Sequence, residues 1–234
     1  MLEETMLYDL QASPTCAKAR ICLRLKGVPF RRVSASWRRL GRLQRDLPGA
    51  HAPLLVDGGT SLAGAGAIAR HLELRHPRPA LWPAEADARA YCALLESWAE
   101  TALGRAVGAL VWQDRAEGRE LARELARELA TGPLRPFAAR WVWRRARHHY
   151  YADRGNARAA ESRAREHLQL LAALLDQRPF LLGDHLTVAD VSAWVHVARL
   201  ERTAARSLLD ESSVVAAWAG RVHAVPAIAA VLPP

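Results

Sequence analysis

Cysteine is scarce in this chain, lysine is nearly absent, and no apolar stretch is long. Cys16, Cys22 and Cys92 are too few and too irregularly spaced for a disulfide scaffold, and an odd count suits a reducing compartment. No Cys/His spacing fits zinc, and the adjacent His148 and His149 would not face one another on a helix, so no metal is expected. No apolar run approaches the roughly 18 residues of a membrane span. Glu3 and Glu4 stand where a basic leader would begin. These absences predict a soluble, cytoplasmic protein with no membrane partner. What is present is globular: 50% of the 234 residues are hydrophobic and 24% charged, enough for one large domain or two small ones.

The only lysines are Lys18 and Lys26, so the net charge of +9 is carried by arginine. Arg31, Arg32, Arg38, Arg39, Arg42 and Arg45 cluster early, around Trp37. Arg140, Arg144, Arg145 and Arg147 form a second group among the aromatics between Trp141 and Tyr151. No helix-turn-helix, RNP-like or finger pattern accompanies them. They read as an arginine-rich surface, and nucleic acid is not an expected partner.

Thr5–Leu10 reads as a strand. Ser13–Lys26 reads as a helix with Ser13 as N-cap, Pro14 at its first position and Gly27 as stop signal. Val28–Val33 reads as a second strand, and Ser34–Gly49 as a polar loop with one irregular helix. Ala52–Val56 and Thr60–Leu62 read as strands joined by the turn Asp57-Gly58-Gly59, followed by a helix over Ala65–Arg75. Pro77–Pro83 has the composition of a linker. Everything later reads as helix: a long stretch Glu85–Arg115, an Arg-Glu-Leu-Ala repeat over Arg119–Ala130, then 135–151, 157–176, 187–202 and 213–224. In the repeat, Leu121, Leu125 and Leu129 share one face, and Glu120–Arg123 and Glu124–Arg127 are spaced to pair on a solvated one.

Two distant segments belong together. Ser13-Pro14-Thr15-Cys16 opens a helix after a strand; Phe180-Leu181-Leu182-Gly183-Asp184-His185-Leu186-Thr187-Val188-Ala189-Asp190 carries a capping box, Thr187 with Asp190. Together they resemble the two ends of a cytosolic glutathione transferase. The resemblance implies an α/β thioredoxin-like domain over 1–76, a linker over 77–84 and an all-α domain over 85–234, with a homodimer as the usual assembly.

The resemblance also implies site residues. Ser13-Pro14 matches the serine-type pair whose hydroxyl donates to a substrate thiolate at a helix N-terminus; read by itself, Ser13 is only an N-cap. Pro53 matches the cis proline that exposes the backbone of Ala52 to the cysteinyl part of glutathione. His51 falls where a Lys or Gln meets the glycyl carboxylate. Gly64-Ala65 occupies the Glu/Gln-Ser slot that normally grips the γ-glutamyl group. That departure removes two charged hydrogen bonds, about 1.5–3 kcal/mol each, or roughly 10²–10⁴ in affinity. Cys16 and Cys22 read as packed residues, with Cys16 the alternative nucleophile. Tyr91, Trp98, Trp112 and Trp143 either pack in the core or wall an apolar pocket.

Two functions fit this pattern. The first is a transferase that activates glutathione at Ser13 and passes it to a small hydrophobic electrophile by conjugation, thiolytic cleavage or isomerisation. The second is a non-catalytic binding or regulatory module of the same fold that has lost glutathione.

Overall fold

The computed structural model describes residues 4–150 and 157–231. The N-terminal domain runs β1 (Met6–Asp9), α1 (Pro14–Leu25), β2 (Arg31–Ser34), α2 (Trp37–Asp46), β3 (Leu54–Asp57), β4 (Thr60–Ala63) and α3 (Ala65–Arg75). Its sheet has the order β2-β1-β3-β4, with β1 and β2 parallel and the other two pairs antiparallel. Helices α1 and α3 pack together on it around Leu7, Ile21, Leu55, Ile68 and Leu72. The Ser13 cap, the Gly27 stop at φ +65° and both ends of α3 fall where the sequence puts them.

Two expectations are corrected. The second strand begins at Arg31, not Val28, because its register starts at Met6 opposite Arg31. Pro29 has no N–H to give a ladder. The helix expected within Ser34–Gly49 is present as α2, but it is regular: ten residues, none of them fully buried, with Leu40 and Leu43 half-buried. Its Trp37 packs edge-on against Trp141, with 5.5 Å between ring centres.

The C-terminal domain is helical: α4 (Ala86–Trp98), α5 (Gly104–Gln113), α6 (Arg115–Leu129), α7 (Arg135–His149), α8 (Ala157–Leu174), α9 (Val188–Val197), α10 (Ser207–Asp210), α11 (Ser213–His223) and α12 (Pro226–Ala229). The expected stretch 85–115 is interrupted by a π-helical turn, Ala99–Leu103. In the repeat, Glu120 pairs with Arg123 at 2.7 Å as expected. Glu124 does not pair with Arg127; Arg127 also reaches Glu120, and Glu124 pairs with Arg202. The segment after α3 is anchored rather than loose, since Lys26 donates to the Pro79 carbonyl and Leu81 and Trp82 are buried.

Every residue of α9 is buried. Asp190 holds its entry: one carboxylate oxygen accepts from Leu181 N at 2.8 Å and Trp218 Nε1 at 3.0 Å, the other from Thr187 N at 3.0 Å and its hydroxyl at 2.9 Å. The two domains share polar contacts. Lys18 donates to Glu96 at 2.6 Å and also to Glu100, and Arg32 pairs with Glu128. Both lysines of the chain are thus inside, Lys18 at 1% exposure, with Lys26 on Glu73.

Candidate functional site

The β-register brings the predicted residues to one end of the sheet. Tyr8 pairs with Leu54, and Leu54 with Ala63, so the end of β1, the start of β3 and the end of β4 coincide. Ser13 follows the first of these, Ala52-Pro53 precedes the second, and Gly64-Ala65 follows the third.

Ser13 Oγ lies on the first turn of α1. It accepts from Cys16 N at 3.4 Å and lies 3.0 Å from the Thr15 hydroxyl. Pro14 has no N–H, so the helix end presents the Thr15 N–H and the Ser13 and Thr15 hydroxyls. Such an end favours a negative charge. Thr15 was not among the expected site residues; a Thr at the second helical position carries no signal that sets it apart from ordinary helix openings.

Ala52–Pro53 is a cis bond, and Pro53 O accepts from Gly64 N at 2.8 Å. Among the described residues the Ala52 N–H and C=O make no bond. His51 is exposed, with Nδ1 2.9 Å from Gly49 O; its Nε2 would lie 3.7 Å from a Cβ on Gly64. His51 and Gly64 are therefore neighbours. Gly64 has φ +90°, a backbone conformation that L side chains rarely adopt. Ala65 is the first residue of α3 and buried. No side chain at 64 or 65 can hydrogen-bond a ligand, which leaves the backbone N–H groups at that helix end.

Against Ser13 lies a cavity of about 180 Å³. Leu10, Ala12, Ser13 and Pro14 form one wall, and Val107, Val111, Trp112, Leu121 and Leu125 the apolar opposite side. Tyr150, His196 and Arg199 add the polar groups. Two glycines let these elements approach: a Cβ on Gly108 would lie 2.3 Å from the Tyr150 ring, and one on Gly104 2.7 Å from that of His196. Burial, with Lys18 and Arg199 nearby, pushes the His196 imidazole down to about 4, so it is neutral at pH 7. Burial lowers Arg199 to about 10, so it stays charged.

Cys16 and Cys22 are fully buried, and burial pushes each thiol up to about 12; both are packed residues, as expected. Of the four aromatics, Trp112 lines the cavity, while Trp143 packs behind it at 6.1 Å and Trp98 packs on His167. Tyr91 does neither, for it stands on the surface. Tyr150, His196 and Arg199 were missed, because nothing local in the sequence says that the end of α7, helix α9 and the turn after it face the Ser13 loop. Among the described residues no group of three His, Cys, Asp or Glu is placed to hold a metal, and no helix is long and apolar enough to cross a membrane.

A thioredoxin-like half joined to a helical half that walls an apolar cavity beside Ser13 defines a two-domain class of fold. The family Glutathione S-transferase, N-terminal domain matches residues 7–80, and Glutathione S-transferase, C-terminal domain matches 96–221. The chain belongs to the glutathione S-transferase family. Solved structures share the fold. A glutathione S-transferase from Rhodospirillum rubrum F11 superposes with a TM-score of 0.72 at 23% identity, over 98% of this chain and 92% of that one. The beta-etherase LigF from Sphingobium sp. gives 0.74 at 19%, over 97% and 98%. A maleylpyruvate isomerase from Ralstonia sp. is 36% identical over 87 residues, which is 36% of this chain and 41% of that protein.

Proposed function

We propose that this protein activates glutathione at Ser13 and transfers it to a small electrophile held in the neighbouring cavity. The observation that carries the reading is the Ser13 hydroxyl itself, at the N-terminus of a twelve-residue helix and in the cavity wall. A thiolate accepting from that hydroxyl gains charge stabilisation, and the cavity supplies proximity; no His or carboxylate beside Ser13 is needed as base. Ala52 would pair with the cysteinyl backbone, His51 would meet the glycyl carboxylate, and the N–H groups at Gly64-Ala65 would receive the γ-glutamyl end. The division into 1–76, 77–84 and 85–234 and a cytoplasmic setting go with this reading. The partial likeness to a maleylpyruvate isomerase puts thiol-dependent isomerisation beside conjugation and thiolytic cleavage.

Calorimetric titration with glutathione, beside other thiols, tests this. Weak binding is expected, tightened by Ala65→Ser, which restores a hydroxyl without disturbing the backbone. Gly64→Glu is the poorer variant, since at φ +90° and ψ 138° any side chain costs about 1–3 kcal/mol. In a thiol-transfer assay, Ser13→Ala should lose at least about tenfold, or ~1.4 kcal/mol. Cys16→Ala should lose much less, its thiol being buried. A dead Cys16 variant with an active Ser13 variant would transfer the chemistry to the cysteine. If no thiol binds at all, the bare Gly64-Ala65 edge favours the second reading, a non-catalytic binding module.

The functional unit we propose is a homodimer. Leu74 on α3 and Tyr91 and Leu94 on α4 are exposed apolar side chains that a partner would cover. Light scattering at micromolar protein should give twice the 25.8 kDa chain mass; a clean monomer would refute the assembly.

A further inference from the structure

We infer that the cavity beside Ser13 takes a small planar carboxylate, with its charged end on the Arg199 guanidinium and its carbon skeleton against Trp112 and Val111. This deepens the reading above, on which it rests in calling the ligand the electrophile.

Arg199 is 8% exposed and lines the cavity. Among the described residues it has no carboxylate partner: the two nearby candidates, Glu117 and Glu124, are both taken by Arg202, at 3.1 and 3.3 Å. Its one hydrogen bond goes to the Ala12 carbonyl, and its Nε–H is buried with no acceptor. The other cation near this wall, Lys18, is already matched by Glu96 and Glu100, and His196 is neutral at pH 7. Glu117 and Glu124 offset the charges of Arg199 and Arg202 together, but among the described residues no carboxylate touches the Arg199 guanidinium itself. Buried charges are normally paired, and a guanidinium's planar fork fits a carboxylate better than any other common group. The bulk of the cavity is apolar, so the ligand combines a carboxylate with a flat hydrocarbon part.

The bond from Arg199 to Ala12 also sets the geometry. It ties the anion anchor to the residue before Ser13, so a carboxylate held there keeps its adjacent carbons beside the thiolate. For an α,β-unsaturated acid, the thiolate sulfur adds to the β-carbon. The π pair moves onto the α-carbon and carboxylate, and a proton from water completes the saturated thioether. Pairing with Arg199 draws off the charge that otherwise makes such acids poor acceptors.

The test is calorimetry without glutathione, using trans-cinnamate and its uncharged isostere trans-cinnamamide. The acid should bind at least tenfold tighter than the amide. Arg199→Gln should erase that difference, and Arg24→Gln, in the separate basic cleft of Arg20, Arg24 and Arg32, should leave it. Equal binding of acid and amide overturns the inference, as does a preference that survives Arg199→Gln or disappears with Arg24→Gln. If Arg199→Gln does not fold, Leu125→Trp fills the cavity without touching the guanidinium; cinnamate binding that persists there is equally fatal. A separate glutathione titration keeps the two readings apart. A preference for the acid in a protein blind to glutathione supports the anion site and removes the transferase; glutathione binding with no acid preference does the reverse.

Discussion

Asp190→Ala should lower the melting temperature by about 6 °C or more while leaving ligand affinity in the folded fraction unchanged. Its carboxylate is wholly buried and accepts four hydrogen bonds, from Leu181 N, Trp218 Nε1, Thr187 N and the Thr187 hydroxyl. Truncation strands at least three buried donors. Each stranded group costs about 1–3 kcal/mol, so the total is roughly 3–9 kcal/mol. In a chain of this size each kcal/mol moves the midpoint by about 2–4 °C. Asp190→Asn should also be destabilised, because its amide would turn a donor toward N–H groups. Calorimetric melting beside a binding titration separates the possibilities. A native melting temperature with abolished activity would make Asp190 a participant in the chemistry and not a staple of the fold.

Lys18→Met should cost about 3–5 kcal/mol in urea denaturation, the usual penalty for breaking a buried ion pair from one side. The variant leaves Glu96 buried without its ammonium, and Arg70, exposed and 4.0 Å away, is too solvated to replace it. Adding Glu96→Leu should recover much of the loss, since a matched apolar pair strands no charge. A single variant within 1 kcal/mol of wild type would mean that water reaches the carboxylate. The pH dependence has a definite sign. Burial works against the Lys18 charge, but Glu100 and Glu96 outweigh it and the pKa is raised. The contribution is therefore complete below the ordinary lysine pKa and is lost only as pH climbs through the higher folded value. It should be flat through neutrality and fade under alkaline conditions.

What could be read from the sequence was whatever short-range chemistry dictates. Ser13-Pro14 before an apolar helical stripe and the Thr187/Asp190 box each carry their own start signal, and each is found in place. What escaped was decided by contacts across the chain. The π turn at Ala99–Leu103 interrupts an unbroken apolar pattern, and Arg31 rather than Val28 opens β2 because β1 sets the register. At the site the same division holds. Ser13, Pro53, Gly64 and Ala65 were picked out by the family resemblance, whereas Arg199 is one arginine among many until the fold buries it. The fourfold duty of Asp190 was half visible: the Thr187 bonds are local, while those from Leu181 and Trp218 require the packed domain.

The seclusion of both lysines gives the molecule an unusual electrical constancy. Its outward positive charge resides on guanidinium groups, which keep their protons beyond about pH 12, whereas an ammonium begins to lose its own near 10. Moderately alkaline solution, where a free thiol of pKa about 8.5 ionises, would thus raise the supply of reactive thiolate without dimming the field that draws anions toward the protein.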